Sequence, residues 1–321
     1  MTTAPPGAPP GAPPCAPPDF APHRPQLRLP VGACDCHAHV IGPAAQYPLA
    51  AQRVYTPPDC VVADYRHMLA SVGVTRAVLV QPSVYGSDNR LLVDSLQAAD
   101  PVHWRGVAVL AGDEDDAELA RLHDAGVRGA RVNLVDRAER SSTLPLAQLR
   151  TLAARIAPWG WHLELLAHAD ELGADLLALA ELPVPVVFGH LGYLTVGRST
   201  GAAGFRALLD LASSGRAWVK LTGPYRLTRE ALPYPAVDEM AAALRAAAPQ
   251  RLLWGSDWPH VMLKGVMPND AELVDLIARW LPGAALRQQV LVDNPQALYG
   301  FGPVTDAPSA IPCSSPPISP V

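Results

Sequence analysis

The stretch Asp35-Cys36-His37-Ala38-His39-Val40 holds two histidines one residue apart in a short β-like run. Side chains alternate along a strand, so His37 and His39 are expected on one face, with Cys36, Ala38 and Val40 on the other. Two imidazoles on one face can grip a metal, or bracket and polarise a carbonyl. The alternative is a pair of interior histidines with structural partners. A second chemical stretch is Trp254-Gly255-Ser256-Asp257-Trp258-Pro259-His260. Apolar rings raise a carboxyl pKa and nearby cations lower it, so Asp257 is a general-base candidate whose ionisation depends on its neighbours. Its alternative is a turn aspartate. His190, in Phe188-Gly189-His190-Leu191-Gly192, is a third histidine of the same kind.

Three arginines add a charge preference. Arg131 and Arg137 flank Val132-Asn133-Leu134-Val135-Asp136, and Arg226 ends Lys220-Leu221-Thr222-Gly223-Pro224-Tyr225-Arg226. Guanidinium forks match carboxylates bidentately, so their convergence implies an anionic, carboxylated small-molecule substrate. Arg128 precedes its strand and is expected at the far end of the fold.

Something must bring these residues together. Short apolar, β-rich runs recur at 33–40, 76–81, 104–110, 130–135, 162–167, 184–190, 217–222 and 251–257, and a helical pattern follows each. Among the helices, 59–71 stops at Gly73, 87–99 has Ser87 as its expected N-cap, and 170–182 follows the fifth strand. Eight β-then-α units predict a parallel sheet closed into a (β/α)8 TIM barrel, rather than an open doubly wound sheet, since no glycine-rich phosphate loop follows the first strand. Barrel chemistry sits at the carboxyl ends of strands. Those ends carry His37 and His39, Gln81, Arg131 and Asn133, His190, Lys220 and Thr222, and Asp257. Strand five, ending in Leu165, Leu166 and Ala167, interrupts the polar ring.

Composition bounds the rest. The 321 residues suffice for a large core, and a net charge of −5 with no basic excess argues against nucleic acid or an anionic membrane as partner. No apolar run reaches membrane-spanning length. Five scattered cysteines without a C-x-x-C pair suit reduced thiols in a cytoplasm, and Cys34 and Cys36 are expected to pack on the face away from the histidines. Residues 1–29 and 301–321 are Pro-rich, with Ala and Gly in the first and Ser in the second, and are expected to be extended, disordered tails around a single barrel domain at 30–300. Nothing in the pattern sets an oligomeric state.

Further motifs occur in order: Tyr55-Thr56-Pro57, Gly86-Ser87-Asp88-Asn89-Arg90, His123-Asp124-Ala125-Gly126-Val127-Arg128-Gly129, Gly160-Trp161-His162 and Val292-Asp293-Asn294-Pro295. With the histidine and aspartate stretches above, they make residues 30–299 resemble the amidohydrolase-related (β/α)8 hydrolases, and within them the 2-pyrone-4,6-dicarboxylate lactonases of aromatic catabolism. The resemblance implies that His37, His39 and His190 polarise a lactone carbonyl and that Asp257 takes a proton from the attacking water. It implies Arg131, Arg137 and Arg226 as carboxylate clamps, with Gln81, Tyr55, Asn133 and His260 as further substrate contacts. It also implies no metal or other cofactor. The absence of a bridging lysine on strand four and of a histidine at the end of strand five is compatible with that.

Two departures bear on the substrate. Tyr193 stands where these lactonases carry an arginine, and Leu166 where they carry a tyrosine. An unpaired substrate carboxylate costs about 2–5 kcal/mol, so a related lactone, or another ester or amide, with one carboxylate fewer is expected, with His168 as a new donor. Two other readings stay open. One is a metal-dependent amidohydrolase or decarboxylase in which His37, His39, His190 and Asp257 hold one zinc or manganese ion. The other is a non-catalytic barrel that binds a carboxylated metabolite while its Pro-rich tails recruit a partner.

Overall fold

The structure is a computed structural model describing residues 12–100, 102–136 and 143–303. Eight parallel strands lie side by side in chain order: β1 (Cys34–Ala38), β2 (Arg76–Val80), β3 (Trp104–Ala108), β4 (Val127–Asn133), β5 (His162–Leu166), β6 (Val186–Phe188), β7 (Ala217–Leu221) and β8 (Leu252–Trp254). Runs such as Arg76-Ala77-Val78-Leu79-Val80 are buried along their whole length, as strands covered on both faces must be. This is the (β/α)8 barrel expected from the sequence.

Two apolar clusters show where each face points. The larger joins strand residues such as Ala77 and Leu79 to the surrounding helices. The smaller draws Cys34, Cys36, Val78, Val80, Val107, Val187, Trp218 and Leu253 from six strands and adds Tyr299 and Phe301 near the end of the described chain, so it fills the barrel interior. Strict alternation therefore fails on β1. Asp35 pairs with Ala77 and Ala38 with Leu79, three steps on β1 against two on β2, which is a β-bulge. The extra residue lets Cys36 pack in the barrel while His37 also turns inward, correcting the expectation that the two lie on opposite faces. Asp35 instead faces the helical layer, where its carboxylate accepts from Tyr65 Oη at 3.0 Å and Ser256 N at 2.9 Å.

β1 and β8 meet through backbone bonds just beyond β8. Asp257 N donates to His37 O at 2.8 Å, and His39 N donates to Trp258 O at 2.7 Å. The seam that closes the barrel thus sets the candidate base beside the histidine pair.

The helices start and stop on local chemistry. Asp115 caps Asp116–Asp124 by accepting from Glu118 N, and Gly73, at φ 80°, ends Val62–Val72 in a conformation costly for other residues. The helix expected at 87–99 begins later, as Arg90–Gln97 behind Asn89, with Ser87 ahead of it. The helix expected at 170–182 is one α-turn, Ala169–Leu172, followed by the 3-10 segment Gly173–Glu181. Gly173, at φ 57°, breaks the α pattern while Leu176 and Leu179 remain buried.

Residues 12–29 run along the barrel and are tied to it. Cys15 N donates to Thr56 O, His23 N to Asn269 Oδ1, and Leu27 N to Asp275 Oδ1. Proline density keeps the backbone extended, and partners roughly 250 positions downstream hold it down, which composition could not reveal. Among the described residues, four cysteines carry free thiols, and no helix is long and apolar enough to cross a membrane.

Candidate active site

A cleft opens at the carboxyl ends of the strands. His39, His190, Asp257, Arg131, Arg226 and Tyr55 line it, together with the two departure residues Leu166 and Tyr193 and the unanticipated Asp136. His37 lies directly beneath, its ring centroid 5.0 Å from that of His39 and 5.1 Å from that of His190. Its Nε2 is 3.7 Å from Asp257 Oδ1.

The other expected residues lie outside the lining. Gln81 spends its side-chain amide on Asp88 O at 2.7 Å, and its own carbonyl accepts from Arg131 Nη1 at 2.8 Å. Asn133 donates to Asp136 Oδ2 and accepts from the backbone of Val135 and Asp136, so it shapes the turn that carries Asp136. His260 is buried behind Tyr225. His168 contacts Tyr193 O through Nδ1 and stacks on the Tyr193 ring. Arg137 falls outside the described residues. Arg128 bonds His123 O and Val127 O near the start of its strand.

Each histidine is oriented by what its Nδ1 touches. His39 Nδ1 lies 2.7 Å from Val80 O, and His190 Nδ1 lies 3.4 Å from Thr222 O. A carbonyl can only accept, so the ring hydrogen belongs on Nδ1 and a neutral ring turns an Nε2 lone pair outward. His37 differs. Its Nδ1 is 3.2 Å from Lys220 Nζ and 3.3 Å from Glu164 Oε1, while Lys220 Nζ and Glu164 Oε2 are 2.5 Å apart. Lys220 and Glu164 are buried in the barrel interior below the cleft, on β7 and β5.

Burial, followed by the Lys220 charge, lowers His37 to about 3; burial, followed by Arg131, does the same to His39. Burial also holds His190 well below the usual histidine range. All three rings are therefore neutral at pH 7. Burial alone would raise Asp257, but the Arg226 guanidinium, through its charge and its hydrogen bond, outweighs it and keeps the carboxylate ionised well below its usual range. The Asp257 oxygens are used unequally. Oδ2 accepts from Tyr225 Oη at 2.6 Å and Arg226 Nε at 2.7 Å, whereas Oδ1 has no hydrogen-bond partner among the described residues.

Backbone strain gathers here. His190, Leu191, Tyr193, Asp257, His260 and Met262 are all non-glycine residues with φ between 51° and 67°. Such conformations persist only where surrounding contacts enforce them, and they concentrate at functional sites. Gly223, at φ 56°, is where the chain passes closest: a Cβ there would come within 2.7 Å of His190 Nδ1 and 2.9 Å of Asp257 Oδ2.

Sequence reasoning missed Glu164, Tyr225 and Asp136, and it placed Lys220 without a partner. A signal existed for the buried pair, because Glu164 and Lys220 are lone charges inside otherwise apolar strands. Tyr225 carried none.

Comparison with known proteins gives the family. The profile described as amidohydrolase matches residues 34–301. A 2-pyrone-4,6-dicarboxylate hydrolase of Comamonas testosteroni is 39% identical over 87% of this chain and 93% of its own. A 4-sulfomuconolactone hydrolase of Rhizobium radiobacter is 36% identical over 85% and 91%. A Pseudomonas putida structure described as a 2-pyrone-4,6-dicarboxylic acid hydrolase superposes with a TM-score of 0.74 at 36% identity, covering 85% of this chain and 99% of that one.

Proposed function

The chain belongs to the amidohydrolase family and is a lactonase-type hydrolase; from that premise we propose that it opens a small lactone bearing one anionic group, with Asp257 as the base. The observation that carries this reading is the Oδ1 of Asp257, an oxygen of a cleft-lining carboxylate that has no hydrogen-bond partner among the described residues and lies 3.7 Å from His37 Nε2. A water donating one hydrogen to Oδ1 and the other to the Nε2 of His39 or His190 has its lone pair directed at a carbonyl carbon above His37. Lys220 donating to His37 Nδ1 leaves the hydrogen on Nε2, where it stabilises the oxygen that gains charge as water adds. The ring C–O bond then breaks. The leaving oxygen recovers the proton from Asp257, and lactone plus water becomes a hydroxy acid. The resemblance assigned one polarising role to all three histidines; the hydrogen positions divide it between one donor and two acceptors.

Arg131 supports the anionic preference, since it lines the cleft with its guanidinium held through Nη1 on Gln81 O. Arg226 is engaged with Asp257. Leu166 and Tyr193 form cleft wall where a second carboxylate would need a partner. Together these favour a monoanionic lactone over a dicarboxylated one.

One observation favours a second reading. His37, His39 and Asp257 offer ligand atoms within 4.8 Å of one another. Among the described residues His37 Nε2 and Asp257 Oδ1 have no hydrogen-bond partner, and the Val80 carbonyl holds His39 Nδ1 in the way that backbone carbonyls orient metal-bound histidines. The donor set fits zinc or manganese, which would supply Lewis-acid polarisation of the lactone carbonyl. In that case His37 needs its other tautomer, with Nδ1–H donating to Glu164.

The test is lactone ring opening by metal-assayed, chelator-treated protein, with mono- and dicarboxylated lactones compared. Turnover that survives chelation and is fastest on monoanionic lactones supports the first reading. Loss reversed by zinc or manganese supports the second, and no turnover of any lactone removes both.

A further inference from the structure

Behind Asp257 lies a chain of polar groups that does not line the cleft. Tyr225 Oη is 2.6 Å from Asp257 Oδ2 and 2.8 Å from His260 Nδ1, and His260 Nε2 is 3.2 Å from Asp270 Oδ1. His260 and Asp270 are each 1% exposed. Tyr225 has one hydroxyl hydrogen, and the ionised carboxylate takes it. The phenol oxygen must then accept from His260, which places a hydrogen on Nδ1. With that hydrogen on Nδ1 a neutral ring has a bare Nε2, and among the described residues neither Nε2 nor either Asp270 oxygen has a hydrogen-bond partner, so Asp270 lies near the ring without bonding it.

We propose that Tyr225 and His260 act as positioning residues, fixing Oδ2 of Asp257 from behind so that Oδ1 is left for the water. The proposal rests on the reading of Asp257 as the base. Neither Tyr225 nor His260 lines the cleft, so they act through Asp257. The backbone supplies an independent reason for such a device. Asp257 and His260 are both held at strained positive φ, 67° and 59°, and His260 N donates to Asp257 O at 2.8 Å. Strain of this kind persists only where surrounding contacts enforce it, and here Tyr225 Oη contacts the side chains of both residues. Arg226 shares Oδ2 and also donates to Val261 O, so its guanidinium ties the carboxylate to the residue after His260. Without the phenol, Arg226 is the one tether of Oδ2 left among the described residues, and the carboxylate can turn about its last torsion. A misaimed general base loses rate without losing substrate affinity.

The experiment is steady-state kinetics on the full chain with a turned-over lactone, each variant checked by thermal unfolding. Tyr225→Phe removes only the hydroxyl. It is expected to lower kcat by about 10–100-fold with KM within about twofold of the parent. His260→Leu removes the Nδ1 group that meets the phenol and is expected to lower kcat by less than Tyr225→Phe, with KM again within about twofold of the parent. Parental kcat in Tyr225→Phe overturns the proposal. So does a decline in which KM or melting temperature, rather than kcat, accounts for the loss. If His260→Leu fails to fold, Tyr225→Phe decides alone. Asp257→Asn separates the layers: if it stays active, the base reading and this proposal both fall. If it is inactive while Tyr225→Phe is parental, only the positioning chain falls.

Discussion

Glu164 and Asp257 approach the same imidazole from opposite sides, one 3.3 Å from His37 Nδ1 and the other 3.7 Å from Nε2. Both are buried, and both stay ionised because a cation outweighs the burial, Lys220 for Glu164 and Arg226 for Asp257. Their remaining valences differ. Glu164 puts one oxygen on Lys220 and turns the other to His37 within the barrel interior. Among the described residues Asp257 has both donors on one oxygen and none on the other, and it lines the cleft, whereas Glu164 does not. Burial and perturbed ionisation alone would nominate both as catalytic. What separates them is an unspent acceptor on a residue of the cleft wall.

Removing either carboxylate sharpens the contrast, and the largest effect belongs to Asp257. Asp257→Asn is expected to lower kcat by about 10²–10⁴-fold, the usual contribution of a general base, with little change in KM by steady-state assay. Lys220→Met strips Glu164 of its cation and is expected to destabilise the fold by about 3–5 kcal/mol in denaturant titrations. The double replacement Lys220→Met with Glu164→Met should recover most of that loss, because well-packed apolar side chains often match a buried ion pair. A double variant as unstable as the single one would contradict a simple paired-charge role. Gly223→Ala comes next. Its Cβ presses on His190 and Asp257 at a positive φ, so we expect about 1–3 kcal/mol of destabilisation and a large loss of kcat. An active, parentally stable Gly223→Ala would mean that this approach is looser than described.

The smallest effect is on pH dependence. His37 and His39 drop from 6.5 to about 3 on folding, so the unfolded chain binds their protons first as pH falls. Their contribution to stability is complete above about 6.5 and is lost as pH falls towards 3. Asp35 opposes them. Burial raises it from 3.8 to about 6, so it favours the folded state increasingly as pH falls between those values. Two histidines outweigh one aspartate, and the expected net loss is about 1 kcal/mol per pH unit between pH 6 and 4, measured by urea unfolding. His39→Gln should flatten that slope.

The barrel was legible because each strand is a compact apolar run with a helical pattern behind it, and repetition fixes such a fold more firmly than any single run. Histidine spacing and the Asp257 stretch pointed to the cleft for the same reason: polar residues at strand ends have few other uses. The bulge at 35–38 was not legible, since it depends on how β1 pairs with β2. Nor was the fate of His260, which lies three residues from Asp257 yet behind it, because positive φ at both positions turns the chain back on itself. Gln81 ended in the right place with its amide already engaged by the 86–88 loop. Strand position identifies which residues reach the mouth, whereas hydrogen-bond commitments decide which atoms remain free, and these depend on partners distant in sequence.

The central claim is that Asp257 directs water onto a lactone carbonyl, and mass spectrometry of the product formed in ¹⁸O-water tests it most directly. The account predicts one ¹⁸O atom in the new carboxylate for the parent protein, and almost no labelled product for Asp257→Asn over the same interval. Consumption of the lactone without label, or parental labelling by Asp257→Asn, would contradict it.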